Sequence, residues 1–366
     1  MLARGARIID IRNMDSAVID NRSREVLKQT VHLFITTGEP VGSRTLSKLN
    51  SQGLSPATIR NIMSDLEDVG FLYQPHASAG RVPTDRGYRF SVGTLLDGQG
   101  LPPADELFIR EQIRPSDGGL PELVRRTSRL LSNMTGMVGF VIGPDFSHSI
   151  LRHVDFVRLA PRQILVMLVS SAGQVIHRVA EIPEDLGGED LAQCARYLEE
   201  QFNGFTLLEA REVLLLRMKE IELVVNRLVK NALTIAEAAF SERPEAEVHL
   251  EGTSRMLSEP EFMRNVDRAQ QLFATLEERH RLVSILNACL EGAGLQIVIG
   301  SEAQVPDLEG ISLIGARYSD GGKELGAIGI MGPTRMEYAR HISVVDRIAC
   351  SLSAAITEVG GNGPYH

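Results

Sequence analysis

SPATIRNIMSDLEDVGFL, Ser55–Leu72, is the stretch whose pattern decides how the amino-terminal part of the chain folds. Ser55 followed by Pro56 is typical of a helix start, with the serine hydroxyl as N-cap and proline at the first helical position. Apolar residues recur at helical spacing and predict one buried stripe, which consists of Ile59, Ile62, Met63, Leu66 and Val69. The opposite, polar face of this helix presents Ala57, Arg60 and Asn61, followed by Ser64.

The composition of the polar face is typical of a helix that contacts DNA bases. An Arg side chain can pair bidentately with guanine and an Asn side chain with adenine, and small neighbours let a helix enter the major groove. The acidic residues Asp65, Glu67 and Asp68 follow only towards the C-terminal end, away from the groove if the first turns contact bases. An ordinary surface helix would also expose polar residues, so this helix alone leaves both interpretations open.

Two helices are predicted to precede this one. Residues 23–37 have an apolar stripe at helical spacing, and Gly38 ends that helix. A short second helix begins at the N-cap Ser43, with Leu46 and Leu49 facing inward. The spacing therefore predicts three helices joined by short turns.

A β-hairpin is predicted to follow the third helix. Residues 71–74 form its first strand, a Pro- and Gly-rich stretch turns the chain, and Tyr88–Phe90 returns as the second strand. A helix-turn-helix followed by a hairpin is a winged helix, and His76, Ser78 and Arg81 suit contact with phosphates or the minor groove. Alternatively, the hairpin is a structural ribbon without DNA contact. The residues predicted to contact DNA are Ser43, Arg44, Thr45, Ser55, Ala57, Thr58, Arg60, Asn61, Ser64, His76, Ser78 and Arg81.

Four segments of the chain resemble one known family. The string SPATIRNIMSDLEDVGFLYQPHASAGRVPTDRGYRF, Ser55–Phe90, closely resembles the signature of HrcA, a family of heat-inducible transcription repressors. A second long match is GAIGIMGPTRMEYARHISVVD, Gly326–Asp346. LEGTSRMLSEPEF (Leu250–Phe262) and LQIVIGSE (Leu295–Glu302) are similar to further family segments. The resemblance spans roughly residues 16–359.

The resemblance implies a dimeric repressor of chaperone operons that binds an inverted-repeat DNA operator. It also implies that a GroEL-type chaperonin assists the repressor to its active fold. A homodimer is expected on physical grounds as well, because one such module contacts only a short half-site and a two-fold protein matches a palindromic operator.

Charge is unevenly distributed along the chain. The 366 residues have a formal net charge of −9, yet residues 22–90 contain nine Lys or Arg and six Asp or Glu. A weakly basic amino-terminal part on an acidic body suits approach to phosphates. The sequence contains no run of eighteen apolar residues, no secretory signal and no CxxC pair among its three cysteines. These features predict a cytoplasmic protein that does not enter a membrane.

The overall fold class is predicted to be α+β and multidomain, because strands flanked by helices are interrupted by a long helical segment. One long helix from Leu207 to Phe240 is the candidate dimer interface, and strands far apart in sequence, such as those near Gln174 and Leu295, are expected to pair. The resemblance implies that the α+β domain is GAF-like and that the insertion dimerises. The predicted domains are a disordered or DNA-contacting extension (1–15), the winged-helix domain (16–97), a linker around one short helix (98–119), the α+β domain (120–185 and 253–359) and a mainly helical insertion (186–252).

Two other functions are weighed against a repressor. A GAF-like domain can bind small molecules, so a small-molecule-responsive transcription regulator is the alternative. An enzyme is not predicted, because the Gly-rich run Gly326–Gly332 matches neither GxGxxG nor a P-loop and fits close packing of strands against the last helix. Asp145, His148 and Ser149 are only neighbours in sequence. No cofactor and no metal site is predicted, since the histidines lack metal-ligand spacing: His148, His153, His177, His249, His280 and His341.

Overall fold

The chain forms two compact units. The first contains the residues up to Ile142 together with Val248–Ile356, and the second runs from Gly143 to Glu247 and includes the chain from Thr357. The extension predicted over residues 1–15, and the residues Asp145, His148 and Ser149, lie outside the described residues. The structure is a computed structural model that describes residues 19–49, 53–95, 100–114, 119–143, 150–170, 175–218, 227–240, 248–257, 266–292 and 294–361.

The first unit begins with four helices and one short hairpin, which we call the N-terminal module (residues 19–95). Asp20 caps the first helix by accepting a hydrogen bond from the Ser23 N–H at 2.7 Å, and Gly38 ends that helix at a φ of 70°. Ser55 caps the third helix, with Pro56 in its first turn, as predicted. The elements are α1 (Asn21–Thr37), α2 (Ser43–Leu49), α3 (Pro56–Asp68), β1 (Leu72–Tyr73), β2 (Val82–Pro83) and α4 (Asp85–Leu95).

The hairpin returns earlier than predicted. Its second strand is β2, whereas Tyr88–Phe90 lies within α4, so the prediction of a strand at Tyr88–Phe90 is wrong. The physical reason is a helix cap: the Thr84 hydroxyl accepts a hydrogen bond from the Gly87 N–H at 3.1 Å. Tyr88 and Val92 are both buried on one face of α4, which is helical spacing.

Beyond the module the chain alternates helices and strands. The elements, in chain order, are α5 (Pro103–Gln112), α6 (Gly119–Thr135), β3 (Val138–Ile142), β4 (Leu151–Ala160), β5 (Gln163–Ser170), β6 (Val175–Glu181), α7 (Gly188–Phe202), α8 (Leu207–Met218), α9 (Arg227–Phe240), β7 (Val248–Glu251), α10 (Thr253–Leu257), α11 (Val266–Glu277), α12 (Arg279–Cys289), β8 (Leu295–Ile299), β9 (Ile311–Asp320), β10 (Lys323–Pro333) and α13 (Tyr338–Gly361). This is a mixed α+β architecture, as predicted.

A five-stranded antiparallel sheet is the centre of the first unit. Its strand order is β7-β3-β10-β9-β8, so Ile142 pairs with Ala327, which lies far away from it in the sequence. The helix α6 packs on β3, β7 and β10. Within the Gly-rich run, Gly329 packs differently from the prediction, because a Cβ there would overlap the Ile314 carbonyl of β9 and the Phe140 ring of β3. The neighbouring strands, and not the last helix, therefore require that glycine.

The segment predicted as a linker is packed against the first unit. The helix expected within residues 98–119 is α5, and its residue Ile109 is fully buried together with Ile113. The Arg347 guanidinium of α13 donates to the Glu106 carboxylate of α5 at 2.7 Å. The linker thus contributes to the core instead of acting as a loose tether.

The second unit contains a separate sheet of β4, β5 and β6, covered on one face by helices. The prediction assigns these strands to the α+β domain that ends at residue 185, whereas the structure assigns them to the unit that begins at Gly143. The single helix predicted over residues 207–240 is two helices, because α8 and α9 pack against each other. In one straight helix Met218 and Arg227 would be about 13 Å apart along the axis, and such packing would be impossible.

Candidate nucleic-acid interface

The outer face of α3 brings together most of the predicted base-contacting residues. Ala57, Thr58, Arg60, Asn61 and Ser64 are all exposed. Their orientation follows from the opposite stripe, since Ile59, Ile62, Met63 and Leu66 are buried against α1 and α2. The helix therefore offers the guanidinium of Arg60 and the side-chain amide of Asn61 among small side chains that leave room for a groove.

The amino-terminal end of α3 is suited to negative charge. The Ser55 hydroxyl accepts a hydrogen bond from the Thr58 N–H at 3.1 Å, and the Thr58 hydroxyl lies 2.9 Å from the Ser55 hydroxyl. The positive end of the helix dipole points outward at this place, and residues 53–64 contain Arg60 but no Asp or Glu. The exposed acids Asp65 and Asp68 lie in the last turn, where they do not oppose a phosphate at the start of the helix.

The helix α2 contributes a smaller exposed surface than predicted. Arg44 and Thr45 are exposed, as a DNA-contacting role requires, whereas the Ser43 side chain is buried. Leu46 faces inward as predicted, but Leu49 is 61 % exposed, so its predicted inward orientation is wrong. Helix α2 has only seven residues and Leu49 is the last of them, so within the helix only Ser43 and Leu46 are buried.

The tip of the hairpin exposes His76 and Ser78, and an amide side chain fixes its shape. The Gln74 side-chain nitrogen donates to the Ala77 carbonyl at 3.0 Å and to the Ala79 carbonyl at 2.8 Å. These bonds hold the turn closed from inside, a role that the sequence pattern did not indicate. Gln74 therefore positions the exposed residues of the tip without being exposed itself.

Arg81 occupies a different place from the one predicted for a phosphate contact. Its guanidinium forms an ion pair with the Glu67 carboxylate of α3 at 2.7 Å, and the Arg81 side chain is 18 % exposed. The other Glu67 oxygen accepts a hydrogen bond from the Gln74 N–H at 3.1 Å. Glu67 thus connects α3 to both sides of the hairpin, through Gln74 after β1 and Arg81 before β2. We call its contact with Arg81 the Glu67–Arg81 joint, and the Arg81 guanidinium is engaged there.

The backbone on the far side of the hairpin is also fixed. Val41 and Arg81 exchange two backbone hydrogen bonds, with Val41 N–H donating to Arg81 at 2.9 Å and Arg81 N–H donating to Val41 at 2.8 Å. Gly80 makes this approach possible, because a Cβ there would overlap the Val41 carbonyl. The hairpin is therefore held in one direction relative to α2 and α3.

Other kinds of site find less support in the described part of the chain. No group of His, Cys, Asp and Glu side chains in the described residues could hold a metal ion. Among the helices that the structure describes, none is long and apolar enough to cross a membrane. His341 is buried, and desolvation by burial, with the nearby Arg340 charge, lowers its pKa to about 4. A buried neutral histidine of this kind is a packing residue in the first unit.

Comparison with known proteins gives a consistent result over nearly the whole chain. The family model for the HrcA protein C terminal domain matches residues 121–342. A relative named heat-inducible transcription repressor HrcA, from Syntrophobacter fumaroxidans (strain DSM 10017 / MPOB), is 38 % identical over 344 residues, which are 93 % of this chain and 99 % of that protein. A protein of the same name from Geobacter sulfurreducens (strain ATCC 51573 / DSM 12127 / PCA) is 38 % identical over 335 residues, covering 92 % and 97 % of the two chains.

A solved structure shows a similar fold. The crystal structure of a hypothetical protein at 2.2 Å resolution superposes with a TM-score of 0.62 at 22 % sequence identity. The superposition covers 93 % of this chain and 99 % of that chain. The fold of this chain therefore resembles that of a solved protein whose sequence is only distantly similar.

Proposed function

Because the chain belongs to the HrcA family of heat-inducible transcription repressors, we propose that it represses transcription by binding an inverted-repeat DNA operator as a dimer. In this proposal the N-terminal module is a winged helix-turn-helix. The rest of the first unit, within residues 100–142 and 248–356, contains the five-stranded sheet and is the GAF-like part, which we call the body. The observation that supports it best is the exposed face of α3, where Arg60 and Asn61 stand among small residues beside a hairpin of fixed direction.

The residues of the proposed DNA interface fall into two groups. Arg60 and Asn61 contact base edges, because both lie in the first two turns of α3, the part that enters the groove. The other members contact or orient the sugar-phosphate backbone, which positions a protein on DNA without selecting sequence. They are Ser43, Arg44, Thr45, Ser55, Ala57, Thr58, Ser64, His76, Ser78 and Arg81. Ser43 and Arg81 act from within the module, since the first is buried and the second is paired with Glu67.

The dimer is proposed to form through the open face of the β4–β6 sheet. Of the interface predicted on residues 207–240, the described residues Leu214 and Leu233 are buried within the unit and are not free to contact a second copy. On the outer face of the sheet, by contrast, Val157, Leu165 and Val179 stand side by side in register, and the two valines are 41 % and 57 % exposed. A second copy would remove this apolar surface from water.

A GroEL-type chaperonin is proposed to assist folding to the active state. The support is the topology of the first unit, in which β3 must pair with β10 and β7 across the whole intervening chain. Such non-local pairing is slow and exposes apolar surface during folding, which is the state that a chaperonin binds. The pairing expected near Gln174 and Leu295 is not the one observed, since β6 pairs with β5.

The proposal is tested by measuring DNA binding at several fixed salt concentrations. Fluorescence anisotropy would compare an inverted-repeat operator, selected by the protein from a random library, with scrambled DNA of the same length. We expect specific binding at least a thousandfold tighter than binding to scrambled DNA. Equal affinity for the two DNAs at every salt concentration would contradict a sequence-specific repressor.

A further inference from the structure

The N-terminal module is held against the five-stranded body by polar contacts that the proposed DNA interface does not use. At the start of α4, one Asp85 carboxylate oxygen accepts hydrogen bonds from both the Ser301 N–H and the Ser301 hydroxyl, each at 2.9 Å. Gly300, at a φ of 53°, makes room for this carboxylate, because a Cβ there would overlap it. Any side chain at position 300 would therefore displace the Asp85 carboxylate from this place.

One turn further along α4, Arg89 reaches the same part of the body. Its Nε donates to one Glu302 oxygen at 2.7 Å, and its Nη2 contacts the other Glu302 oxygen and donates to the Ile297 carbonyl at 2.6 Å. The Glu302 carboxylate also accepts a hydrogen bond from the Ile299 N–H at 2.8 Å. The Arg89 side chain is 15 % exposed and Glu302 is 35 % exposed, so the guanidinium is largely shielded from solvent and the pair is bidentate, which favours it over a fully exposed ion pair.

A third contact joins the body to α1. The Arg335 guanidinium donates to the Ile35 carbonyl at 3.0 Å, and it lies under Gly38 at the end of α1. A carbonyl in the last turn of a helix lacks an intrahelical partner, and a cation there is favoured by the helix dipole. Between these polar contacts, the buried rings of Tyr88 and Tyr338 lie 5.9 Å apart. The module and the body thus share one apolar core.

Hydrogen bonds inside the module connect α4 to the end of α3. The Arg86 guanidinium of α4 donates to the Val69 carbonyl at the end of α3 at 2.8 Å. The Thr84 hydroxyl donates to the Gly70 carbonyl at 2.7 Å. Because α3 is tied to α4 and α4 is tied to the body, the direction of α3 is defined relative to the body.

We propose that Asp85, Arg89, Ser301, Glu302, Arg335 and Ile35 form a clasp that sets which spacing between operator half-sites the dimer accepts. The inference rests on the proposed function, because it assumes two modules on one DNA duplex. The clasp also gives a role to the stretches DRGYRF, LQIVIGSE and GPTRMEY, which contain five of these six residues and none of the residues proposed to contact DNA.

The physical reason is the geometry of DNA. One added base pair moves a half-site by about 3.4 Å and rotates it by about 35° around the helix axis. A module on a loose tether could turn on the body to follow that movement, whereas a module held at three points cannot turn on the body without breaking the Arg89 pair or the Asp85 contacts. The clasp therefore acts on spacing and leaves the contacts within one half-site unchanged.

The test measures binding of the full-length protein to a series of duplexes. All duplexes contain two identical half-sites, taken from the operator that the wild-type protein selects, and their spacers differ by single base pairs; a duplex with one half-site completes the series. The variants are Arg89→Ala, the milder Glu302→Gln and Arg335→Ala. The control is Arg125→Ala, which removes an equal charge and an exposed ion pair with Glu122 on α6.

We expect the wild-type protein and Arg125→Ala to prefer one spacer sharply. In Arg89→Ala and Arg335→Ala the preference over the neighbouring spacers should fall at least tenfold, with affinity for the single half-site within twofold of the wild type. Glu302→Gln should give a smaller decrease with an unchanged unfolding midpoint, which separates the effect from misfolding.

Two results would overturn the inference while leaving the repressor function intact: unchanged spacer profiles in the variants, or equal loss of affinity on all spacers and on the single half-site. If the wild-type protein selected no operator at all, the proposed function itself would fail, and the clasp hypothesis with it.

Discussion

Arg60 and Asn61 are the residues on which sequence selection is proposed to depend. Replacing either with Ala should cost on the order of 1–3 kcal/mol on the selected operator and little on scrambled DNA, because a base contact is lost. Anisotropy titrations at constant salt measure both affinities. Arg196→Ala, an exposed arginine of α7, is the matched control. Equal losses on the two DNAs would show that Arg60 and Asn61 contact phosphates.

Arg81 should affect DNA binding without changing its salt dependence. Its guanidinium is engaged by Glu67, so Arg81→Ala should weaken binding to all sequences by releasing the hairpin, and no counterion release is lost. The plot of log affinity against log salt concentration should keep the wild-type slope. A slope shallower by about one would instead indicate a direct phosphate contact. Glu67→Gln removes the other partner of the Glu67–Arg81 joint. It should weaken DNA binding in the same way if loss of this joint causes the effect of Arg81→Ala.

His341 should make the protein less stable in mild acid. Burial keeps it neutral in the folded state, with a pKa of about 4, whereas the unfolded chain takes up the proton near 6.5. The unfolded state therefore binds more protons between these values, and stability should fall by at most about 3 kcal/mol as the pH decreases from 6.5 to 4. Urea unfolding at several pH values measures this slope. His341→Gln should flatten it, and an identical slope in the variant would count against His341 as the source.

At the scale of elements, the helices with clear end signals were predictable and the returning strand was not. Ser55-Pro56 and the apolar stripe that follows predict α3 without any tertiary information. Tyr88–Phe90 has aromatic residues typical of a strand, and only the Thr84 cap, followed by Asp85 in the first turn, indicates the helix α4. The Glu67–Arg81 joint was not predictable, because no local pattern shows which charges meet across a turn.

The open face of the β4–β6 sheet should be required for dimer formation. Val179→Glu places a charge in the middle of the apolar row and should raise the dimer dissociation constant at least tenfold, because the charge would be buried without a partner. Sedimentation at a series of concentrations measures the constant. Leu107→Glu is the control, since Leu107 is 60 % exposed on α5. A dimer dissociation constant that stayed unchanged in Val179→Glu would show that the interface lies elsewhere.

At the scale of the whole molecule, strand partners were the part that sequence reasoning could not assign. The positions of the strands follow from local apolar patterns, but each strand can pair with many others. Ile142 meets Ala327 only because the helices around the sheet bury one set of faces, and that packing depends on the whole chain. The domain limits depend on the same packing: the prediction assigned β4–β6 to the domain that contains β3, whereas they lie in the second unit.

The long-range pairing should make recovery of activity depend on chaperonin. During refolding at fixed temperature and salt, operator occupancy should rise faster and further when GroEL-type chaperonin and ATP are present. Adding a competing unfolded protein should reverse that gain, because it occupies the chaperonin. Native protein that was never unfolded is the control and should respond to neither addition. Complete and rapid recovery without chaperonin would leave direct thermal melting as the only route by which heat acts.

The register between β3 and β7 also shows where the second unit interrupts the chain of the first. Ile142, the last residue of β3, pairs directly with Val248, the first residue of β7, and the second unit occupies the chain between them. Two antiparallel strands joined at such a point need only a two-residue turn. A chain in which a two-residue turn replaced residues 143–247 would keep every strand pairing of the five-stranded sheet, because all five strands lie outside that stretch.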